Sequence, residues 1–407
     1  MMARVALVSY NFPEYCIRLA GAMSHEAEVL LMLPDRDADP FLHLLDPAVE
    51  YRPFSKPRLR QPWQQLRTVG TILAQIRAFR PDLVHFQHGH FWFSPALPLL
   101  KGYPLVLTLH DARHHVGDRS ARHTPQPIMD FGYRRADRVI VHGERIKQEV
   151  TERLHIPGER IHVVPHIAMG GGVEPRGGAE ATTGEPVVLF FGRIWEYKGL
   201  EYLIKAEPAI TAQVPEARIV IAGRGEEFEK YRRMMVHPEH FEVHNERVSD
   251  ADAEKLFDRA SVVALPYVEA SQSGVIPVAY RHSKPVVATL VGSLPEAVED
   301  GETGLLVPPR DERALAEAIV TLLRDDELRR RMGANGKRKI DSEGSPQAVA
   351  AATLAVYQDL LASGPVVRDV ASGARDASER SVSPDVAPRH VASGLVPDVR
   401  PTSRPNI

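Results

Sequence analysis

Short apolar runs alternate with longer amphipathic segments through the first 168 residues of the chain. The apolar runs predict six buried strands, at residues 4–9, 28–33, 82–86, 105–109, 138–141 and 162–164. Residues 15–24 and 63–79 have the spacing of amphipathic helices. Strands that alternate with helices are typical of a parallel sheet, so residues 1–168 are predicted to form a Rossmann-like domain.

The alternation stops at residues 169–186, which are rich in glycine and almost without apolar side chains, and are therefore predicted to be a linker. It restarts in residues 187–345, which predict a second Rossmann-like domain. Its strands are expected at residues 187–191, 218–222, 262–265 and 285–288, and its helices at 200–213, 249–259, 312–323 and 326–339. Residues 346–362 predict one further helix.

The last segment, residues 363–407, contains no aromatic residue and many Pro, Ser, Arg and Asp residues. It cannot bury enough apolar surface to offset the entropy lost on ordering, and we expect it to be disordered. The pattern as a whole predicts an α/β protein with two doubly wound, Rossmann-like domains facing a central cleft. Ligands of such folds bind beyond the carboxyl ends of the strands.

Composition narrows the class of protein. The 407 residues are 43% apolar, which is enough for two cores. The net charge of -3 disfavours a general nucleic-acid binder. A single cysteine, Cys16, excludes an intramolecular disulfide and fits a reducing compartment. With no signal-peptide pattern and no long apolar segment, the sequence predicts a cytoplasmic protein.

The first chemical motif is F-F-G-R-I-W-E-Y-K-G-L-E-Y-L-I, beginning at Phe190. A strand runs into Gly192 and Arg193, and Lys198 stands where a helix opens. Glycine at a strand–helix junction lets the backbone approach a phosphate, and two cations suit a diphosphate. The alternative interpretation is a solvated loop with two ordinary surface cations.

The second motif spans residues 265–309 and places Glu269 just after a predicted strand. Residues that lead into the next helix offer backbone N–H groups to a phosphate or to sugar hydroxyls. These residues are Ser271, Gln272, Ser273 and Gly274.

These two segments, in this order, resemble the retaining glycosyltransferases of family 4, the glycosyl transferases group 1, which have the GT-B fold. The sequences T-L-H-D at residues 108–111, A-D-R-V-I-V at 136–141, V-V-P-H at 163–166 and I-A-G-R-G at 221–225 are also similar to that family. The resemblance extends over everything except the predicted tail.

The resemblance implies a function. It implies transfer of a sugar from a UDP- or GDP-linked donor to a hydroxyl acceptor, with retention of configuration, in polysaccharide or glycolipid synthesis. Arg193, Lys198 and Gly192 would bind the donor diphosphate, and Glu269 with the backbone of residues 271–274 would hold the transferred sugar. His110 would face the cleft near the reacting centre, so that Glu269 and His110 are the expected catalytic residues.

Two positions depart from the family. A second glutamate usually stands eight positions after the first and contacts the donor ribose, but here that position is Pro277. The loop after the first strand, residues 11–15, lacks the Gly-Gly pair that is common in the family, which makes the acceptor side unusual.

A group of histidines raises the question of a metal. His85, His88 and His90 form H-F-Q-H-G-H, and three more follow at His110, His114 and His115. Histidine clusters bind zinc, but no paired cysteine or placed carboxylate accompanies them, and the strand is expected to turn His85 away from the others. We therefore predict no metal and no cofactor, with His88, His90 and Asp111 as acceptor contacts.

The segment from residue 52 to residue 80 has seven basic residues and no acidic one, with Trp63 among them. It is either a solvated arginine-rich helix or a peripheral membrane surface that meets anionic lipid and a lipid-linked acceptor at the inner face of the membrane.

Two other functions stay open at this point. One is a GT-B nucleotide-sugar epimerase that acts on the donor without an acceptor. The other is a non-catalytic sugar-nucleotide-binding protein, which only Pro277 suggests.

Overall fold

Two parallel sheets organise the computed structural model, which describes residues 2–114, 124–170 and 186–363. The first sheet has the order β3-β2-β1-β4-β5-β6-β7, and every neighbouring pair is parallel. In chain order its strands are β1 (Ala3–Ser9), β2 (Ala27–Met32), β3 (Glu50–Tyr51), β4 (Leu83–Gln87), β5 (Leu105–Thr108), β6 (Arg138–Val141) and β7 (Ile161–Val163).

The helices of the first domain pack their apolar faces against this sheet. Residues Val69, Ile72 and Ile76 of one long helix are buried in the same core as Val84 and Phe86 of β4. The helices are α1 (Pro13–Met23), α2 (Asp35–Ala38), α3 (Pro62–Phe79), α4 (Gln126–Arg135) and α5 (Glu144–Leu154).

The second sheet has the order β10-β9-β8-β11-β12-β13 and is also parallel throughout. Its strands are β8 (Val187–Phe191), β9 (Arg218–Ala222), β10 (Phe241–His244), β11 (Val262–Leu265), β12 (Val286–Thr289) and β13 (Gly304–Val307). Its helices are α6 (Leu200–Thr211), α7 (Phe228–Arg232), α8 (Asp250–Arg259), α9 (Val275–Arg281), α10 (Leu294–Ala297), α11 (Glu312–Arg324) and α12 (Asp326–Glu343).

Side-chain caps fix where three of these helices begin. Ser249 Oγ accepts a hydrogen bond from the backbone N–H of Asp252 at the start of α8. Asp311 and Asp325 do the same for the first turns of α11 and α12. Each cap satisfies one N–H group that has no partner within its own helix, and is worth about 1 kcal/mol.

Both sheets reverse their strand order beside their first strand, between β1 and β4 and between β8 and β11. Because all strands in a sheet are parallel, their carboxyl ends lie along one edge. In doubly wound sheets the ligand crevice opens at this reversal, beyond the carboxyl ends. Loops that follow β1, β4, β8 and β11 therefore carry the candidate site residues.

The last helix of the described chain, α13 (Pro346–Ser363), returns from the second domain to the first. It packs against α1, and its Leu354, Tyr357 and Leu360 share a buried cluster with Val5 and Tyr15. The hydroxyl of Tyr357 lies 2.5 Å from Nδ1 of His85, and Arg138 pairs with Asp359 at 2.9 Å. The first domain therefore includes a helix from the far end of the chain.

The predicted α/β architecture with two doubly wound domains is confirmed. Strands β6, β8, β9 and β11 have the predicted bounds. Residues 171–185 of the predicted linker, residues 364–407 of the predicted tail and His115 lie outside the described residues.

Two buried histidines make the stability of the first domain depend on pH. His85 is enclosed by β4, β5 and α13, and His90 is stacked on Tyr10 with 3.7 Å between ring centroids. Burial lowers the pKa of each imidazole to about 3. The unfolded chain binds these protons below about pH 6.5, whereas the folded chain does not until near pH 3.

The stability that comes from keeping these rings neutral is therefore complete above pH 6.5 and is lost as the pH falls from 6.5 towards 3. Each histidine should lower the free energy of unfolding by about 1.4 kcal/mol per pH unit in that window. Urea unfolding at a series of pH values measures the slope. His85→Asn should remove one histidine's share, and His25→Asn, at an exposed position, should leave the slope as it is. Equal slopes in all three proteins would contradict the expectation.

Candidate functional site

The loop between β8 and α6 brings a lysine close to the backbone of the strand end. Gly192 has φ 108°, and a Cβ at this position would lie 2.7 Å from Nζ of Lys198. Gly199 has φ 63°, and a Cβ there would lie 1.9 Å from the carbonyl oxygen of Pro266. Only glycine combines these backbone angles with such close approaches, so the two glycines of the motif hold the loop against the end of β11.

The two cations of this loop differ in their surroundings. Lys198 is buried to 9% exposure, and its Nζ lies 5.0 Å from the ring centroid of Tyr267. Among the described residues, no carboxylate forms an ion pair with Lys198. Arg193 is exposed and lies over the ring of Trp195 at 3.8 Å. Because no carboxylate of the described chain pairs with this ammonium, an anion is favoured as its partner.

Glu269 is held beside this loop by the backbone. Val268 N donates to the carbonyl oxygen of Tyr197 at 2.8 Å, and Glu269 N lies 3.4 Å from the same oxygen. Tyr197 directly precedes Lys198, so the segment after β11 and the segment after β8 meet at one point. The structure thus brings Glu269 and the predicted diphosphate loop together.

The residues after Glu269 lead into α9 as expected. Ser271 is buried, and its carbonyl oxygen accepts a hydrogen bond from Ser293 N at 3.1 Å. Ser273 Oγ accepts from Val275 N at 3.3 Å, and Gly274 is the residue before the first turn of α9. Gln272 Oε1 is buried and makes no hydrogen bond within the described chain.

A cavity of about 430 Å³ opens beside Arg193. Arg224, Lys230 and Tyr231 also line it, together with Glu226 and Glu227 from the loop after β9. Its volume lies in the range of small-molecule sites, and its three cations are matched by three carboxylates, since Glu196 lines it as well.

Four histidines stand in a row at the carboxyl edge of the first sheet. His88 follows β4, His110 follows β5, His142 follows β6 and His166 follows β7. The ring centroids are 6.3 Å apart for His88 and His110, 4.9 Å for His110 and His142, and 5.0 Å for His142 and His166. We call His110, His142 and His166 the histidine cluster, because one nitrogen from each lies within 4.8 Å of the others.

Burial and mutual proximity keep the histidine cluster neutral. The pKa of His110 lies well below its usual value because the ring is buried and faces His142, His166, His88 and His85. Burial lowers the pKa of His142 to about 3 and also lowers the pKa of His166, while the charge of Asp111 acts in the opposite direction on both. At neutral pH these imidazoles are therefore uncharged.

His110 also packs against the unusual loop after β1. Its ring stacks on Phe12 with 4.0 Å between centroids, and Tyr15 meets its edge at 5.2 Å. Phe12 has φ 56°, a left-handed conformation that is uncommon outside glycine. The aromatic residues that replace the family's Gly-Gly pair thus cover His110.

Of the other predicted acceptor residues, His88 and Asp111 lie at the histidine cluster and His90 does not. His88 stands next to the cluster, and Asp111 follows His110 directly. His90 is buried to 6% exposure against Tyr10 and Phe93, so the structure does not bring it to this group. His114 points to the carbonyl oxygen of Thr124 at 2.8 Å.

His142 and His166 were not predicted from the sequence. Both follow predicted strands, at residues 138–141 and 162–164, so the rule that ligands lie beyond strand ends could have found them. The predicted histidines are close together in the sequence, whereas the sheet brings these two together from separate strands.

A smaller cavity of about 190 Å³ lies between His142 and His166 of the first domain and Gln272, Pro277 and Ser293 of the second. Pro277 is buried in the first turn of α9. Its side chain lines this cavity and is not among the residues around Arg193.

The basic segment of residues 52–80 has an exposed apolar part. Trp63 is 82% exposed and Leu66 51% exposed, both on α3. Arg58, Arg60 and Arg67 are exposed nearby in the sequence. Arg52 and Lys56, in contrast, pair with Glu50 and Asp37. Within the described ranges, no helix has the length and apolar character needed to span a membrane.

Comparison with known proteins agrees with this geometry. The model of Glycosyltransferase Family 4 matches residues 14–167, and that of Glycosyl transferases group 1 matches residues 185–325. A D-inositol 3-phosphate glycosyltransferase from Corynebacterium glutamicum is 30% identical over 352 residues, which cover 77% of this chain and 80% of that protein.

Solved structures show the same fold. Sucrose-phosphate synthase from Thermosynechococcus elongatus superposes with a TM-score of 0.70 at 20% identity, covering 89% of this chain and all of the other. HepE from Anabaena, in complex with UDP, superposes with a TM-score of 0.67 at 17% identity, covering 88% of this chain and all of the other. The fold is therefore GT-B.

Proposed function

The chain belongs to the group 1 glycosyltransferases of family 4, and from this premise we propose that it transfers a sugar from a nucleotide diphosphate sugar to a hydroxyl acceptor with retention of anomeric configuration. The observation that carries the proposal is Lys198, a largely buried lysine without an ion-pair partner in the described chain, whose ammonium lies against Gly192 at the strand–helix junction. Such a group needs an anion, and a donor diphosphate supplies one.

The reaction creates negative charge on the leaving diphosphate. Lys198 would hold one phosphate as a point charge, and Arg193 can give two parallel hydrogen bonds to another. Fixed cations that face the developing charge lower the barrier without reorganising. We propose that they make a metal ion at the diphosphate unnecessary.

Glu269 would act at the sugar. Its position beside the Lys198 loop supports a role for its carboxylate near the anomeric carbon, where positive charge develops as the bond to phosphate breaks. His110 stands at the end of β5 and is fully buried beneath Phe12 and Tyr15, so its proposed contact with a hydroxyl of the acceptor or the sugar would require Phe12 to move off its ring.

The cavity of about 430 Å³ beside Arg193 is the proposed place for the donor nucleoside. Pro277 offers no carboxylate to the ribose, and it lines a different cavity. Ribose recognition would therefore depend on groups around Arg193, such as Glu226 and Glu227. The base is proposed to be uracil or guanine, and the UDP bound to HepE supports the former.

The acceptor is proposed to be a sugar chain or a lipid-linked sugar. Exposed Trp63 and Leu66, near the exposed arginines 58, 60 and 67, form a surface that suits the interface of an anionic membrane. A peripheral location at the inner face of the membrane would bring a lipid-linked acceptor to the cleft.

A direct test uses a panel of UDP- and GDP-sugars. Thermal shifts identify the donor, and incubation with candidate acceptors then yields a product whose anomeric configuration is read by NMR. A product with the donor's configuration supports the proposal. Inversion at the anomeric carbon would overturn retention, and isomerised donor without any transfer would favour an epimerase.

Transfer should persist after treatment with EDTA, because Arg193 and Lys198 supply the charge that a metal would otherwise provide. Initial rates before and after chelation, with and without added Mg²⁺, are the measurement. A strict requirement for the divalent ion would show that the two cations are insufficient.

A further inference from the structure

The histidine cluster has a feature that the proposed transfer does not use. Each ring is held through one nitrogen by an oxygen that can only accept. Nδ1 of His142 donates to Val164 O at 2.9 Å, and Nδ1 of His166 donates to Ile167 O at 2.8 Å. A carbonyl oxygen cannot donate, so in both rings the proton is on Nδ1 and the lone pair is on Nε2.

In His110 the other ring nitrogen, Nε2, donates the hydrogen bond. Its Nε2 donates to Gln87 Oε1 at 2.9 Å. With the Gln87 amide in this orientation, its Nε2 donates to Nε2 of His85 at 3.3 Å on the other side. The lone pair of His110 is therefore on Nδ1.

Two of these three free nitrogens are buried without any partner in the described chain, namely Nδ1 of His110 and Nε2 of His142. The third, Nε2 of His166, belongs to a ring that lines the cavity of about 190 Å³. Buried polar atoms are nearly always satisfied, so converging acceptors without donors indicate a missing ligand.

We propose that His110, His142 and His166 form a site for a divalent transition metal ion of the Zn²⁺ type, bound through Nδ1 of His110 and Nε2 of His142 and His166. Imidazole suits Zn²⁺, and histidines that bind it characteristically donate their second ring N–H to a carbonyl or carboxylate, as all three donate here to an amide carbonyl oxygen. Asp111 adds a negative charge that acts on two of the rings.

The geometry requires a small adjustment. Tetrahedral Zn²⁺ with nitrogens at about 2.1 Å needs nitrogen–nitrogen separations of about 3.4 Å. One nitrogen of each ring lies within 4.8 Å of one nitrogen of the other two, so closure by roughly an ångström through side-chain rotation would bring three ring nitrogens to the ion. Three protein ligands leave the fourth position of the ion open.

The metal site would also affect sugar transfer. This part of the inference rests on the proposed transferase function. Within the described chain Nε2 of His110 is held by Gln87, so Nδ1, which is buried without a partner, is the nitrogen through which this ring would contact a substrate hydroxyl. A metal ion would take that same nitrogen. Metal and substrate therefore compete, and the metal-bound protein is the inhibited form.

Binding is tested without any reference to activity. The full chain, prepared without a polyhistidine tag and stripped of metal, is titrated with Co²⁺ as a spectroscopic substitute for Zn²⁺. Four-coordinate Co²⁺ absorbs visible light far more strongly than the six-coordinate ion. We expect this absorption to saturate at one ion per chain and to be displaced by Zn²⁺.

The variants are His142→Asn and His166→Asn. The asparagine amide can retain the hydrogen bond to Val164 O or Ile167 O and so preserve the fold, but it removes Nε2. Each should weaken Co²⁺ and Zn²⁺ binding on the order of a hundredfold. His25→Asn makes the same change at an exposed histidine and should bind metal like the wild type. Thermal unfolding of each variant confirms that it is folded.

A second measurement addresses inhibition. Zn²⁺ should inhibit sugar transfer by the wild type, EDTA should reverse this, and both variants should need on the order of a hundredfold more Zn²⁺ for the same inhibition. A wild type without the Co²⁺ absorption, or variants that keep it, would overturn the site. Metal binding without inhibition would overturn the competition at His110 but not the metal site itself. If the protein has no transferase activity, the Co²⁺ spectrum still tests the metal site.

Discussion

Lys198→Met should weaken donor binding by roughly 30- to 150-fold while the protein remains folded. Methionine keeps most of the side-chain volume and the contact with Tyr267, but removes the ammonium. Loss of one charge-assisted contact to phosphate corresponds to about 2–3 kcal/mol. Arg193→Ala should have an effect of similar size, since the exposed guanidinium has no structural ion pair in the described chain.

Calorimetric titration with the nucleoside diphosphate measures the effect on binding, and kcat/KM measures it on transfer. Lys205→Met is the matched control, because Lys205 is an exposed lysine of the following helix, α6. The control should bind like the wild type. Donor affinities in Lys198→Met and Arg193→Ala close to that of the control would remove the diphosphate from this loop.

Glu269→Gln should lower kcat by about 10²- to 10³-fold and change donor affinity only a few-fold. The amide has the same shape and can still hydrogen-bond to sugar hydroxyls, but it carries no charge to favour the cationic anomeric carbon. A loss confined to kcat is the signature of an interaction that strengthens in the transition state.

The measurement is steady-state kinetics with saturating acceptor, combined with direct titration of the donor. Glu216→Gln, an exposed glutamate in the turn before β9, serves as control and should leave both quantities unchanged. Full activity in Glu269→Gln would show that the sugar lies elsewhere. An equal loss of donor affinity would instead show that Glu269 binds the ground state.

The fold was predictable because its central strands are continuous apolar runs. Strands such as β8 and β11, buried on both faces, leave a clear signal in the sequence. Edge strands do not: β10, Phe241–His244, is only half-buried, and β3 has two residues. Helix α5 was missed because only Ile146, Val150 and Leu154 of its eleven residues are buried, so polar residues dominate its composition.

The site residues that lie together in one loop were predictable. Gly192, Arg193 and Lys198 are close in the sequence, and their spacing indicates a phosphate-binding junction. His142 and His166 were not predicted, because four neighbouring parallel strands must form before residues from separate segments stand in a row. Nothing in the sequence states which nitrogen of a ring is free, since hydrogen bonds to Val164 and Ile167 decide it.

Helix α13 has a consequence for synthesis on the ribosome. One of the two buried clusters of the first domain includes Leu354, Tyr357 and Leu360, so this cluster is not complete until residue 360 has left the exit tunnel. At about 5–20 residues per second, the ribosome needs on the order of 10–40 s to make the second domain and α13 after the first sheet is complete. Throughout that interval the apolar residues around Val5 and Tyr15 lack the cover of α13, and a chaperone can bind them there. An N-terminal domain usually finishes folding first, whereas here the first domain completes this cluster only after the second domain has been made.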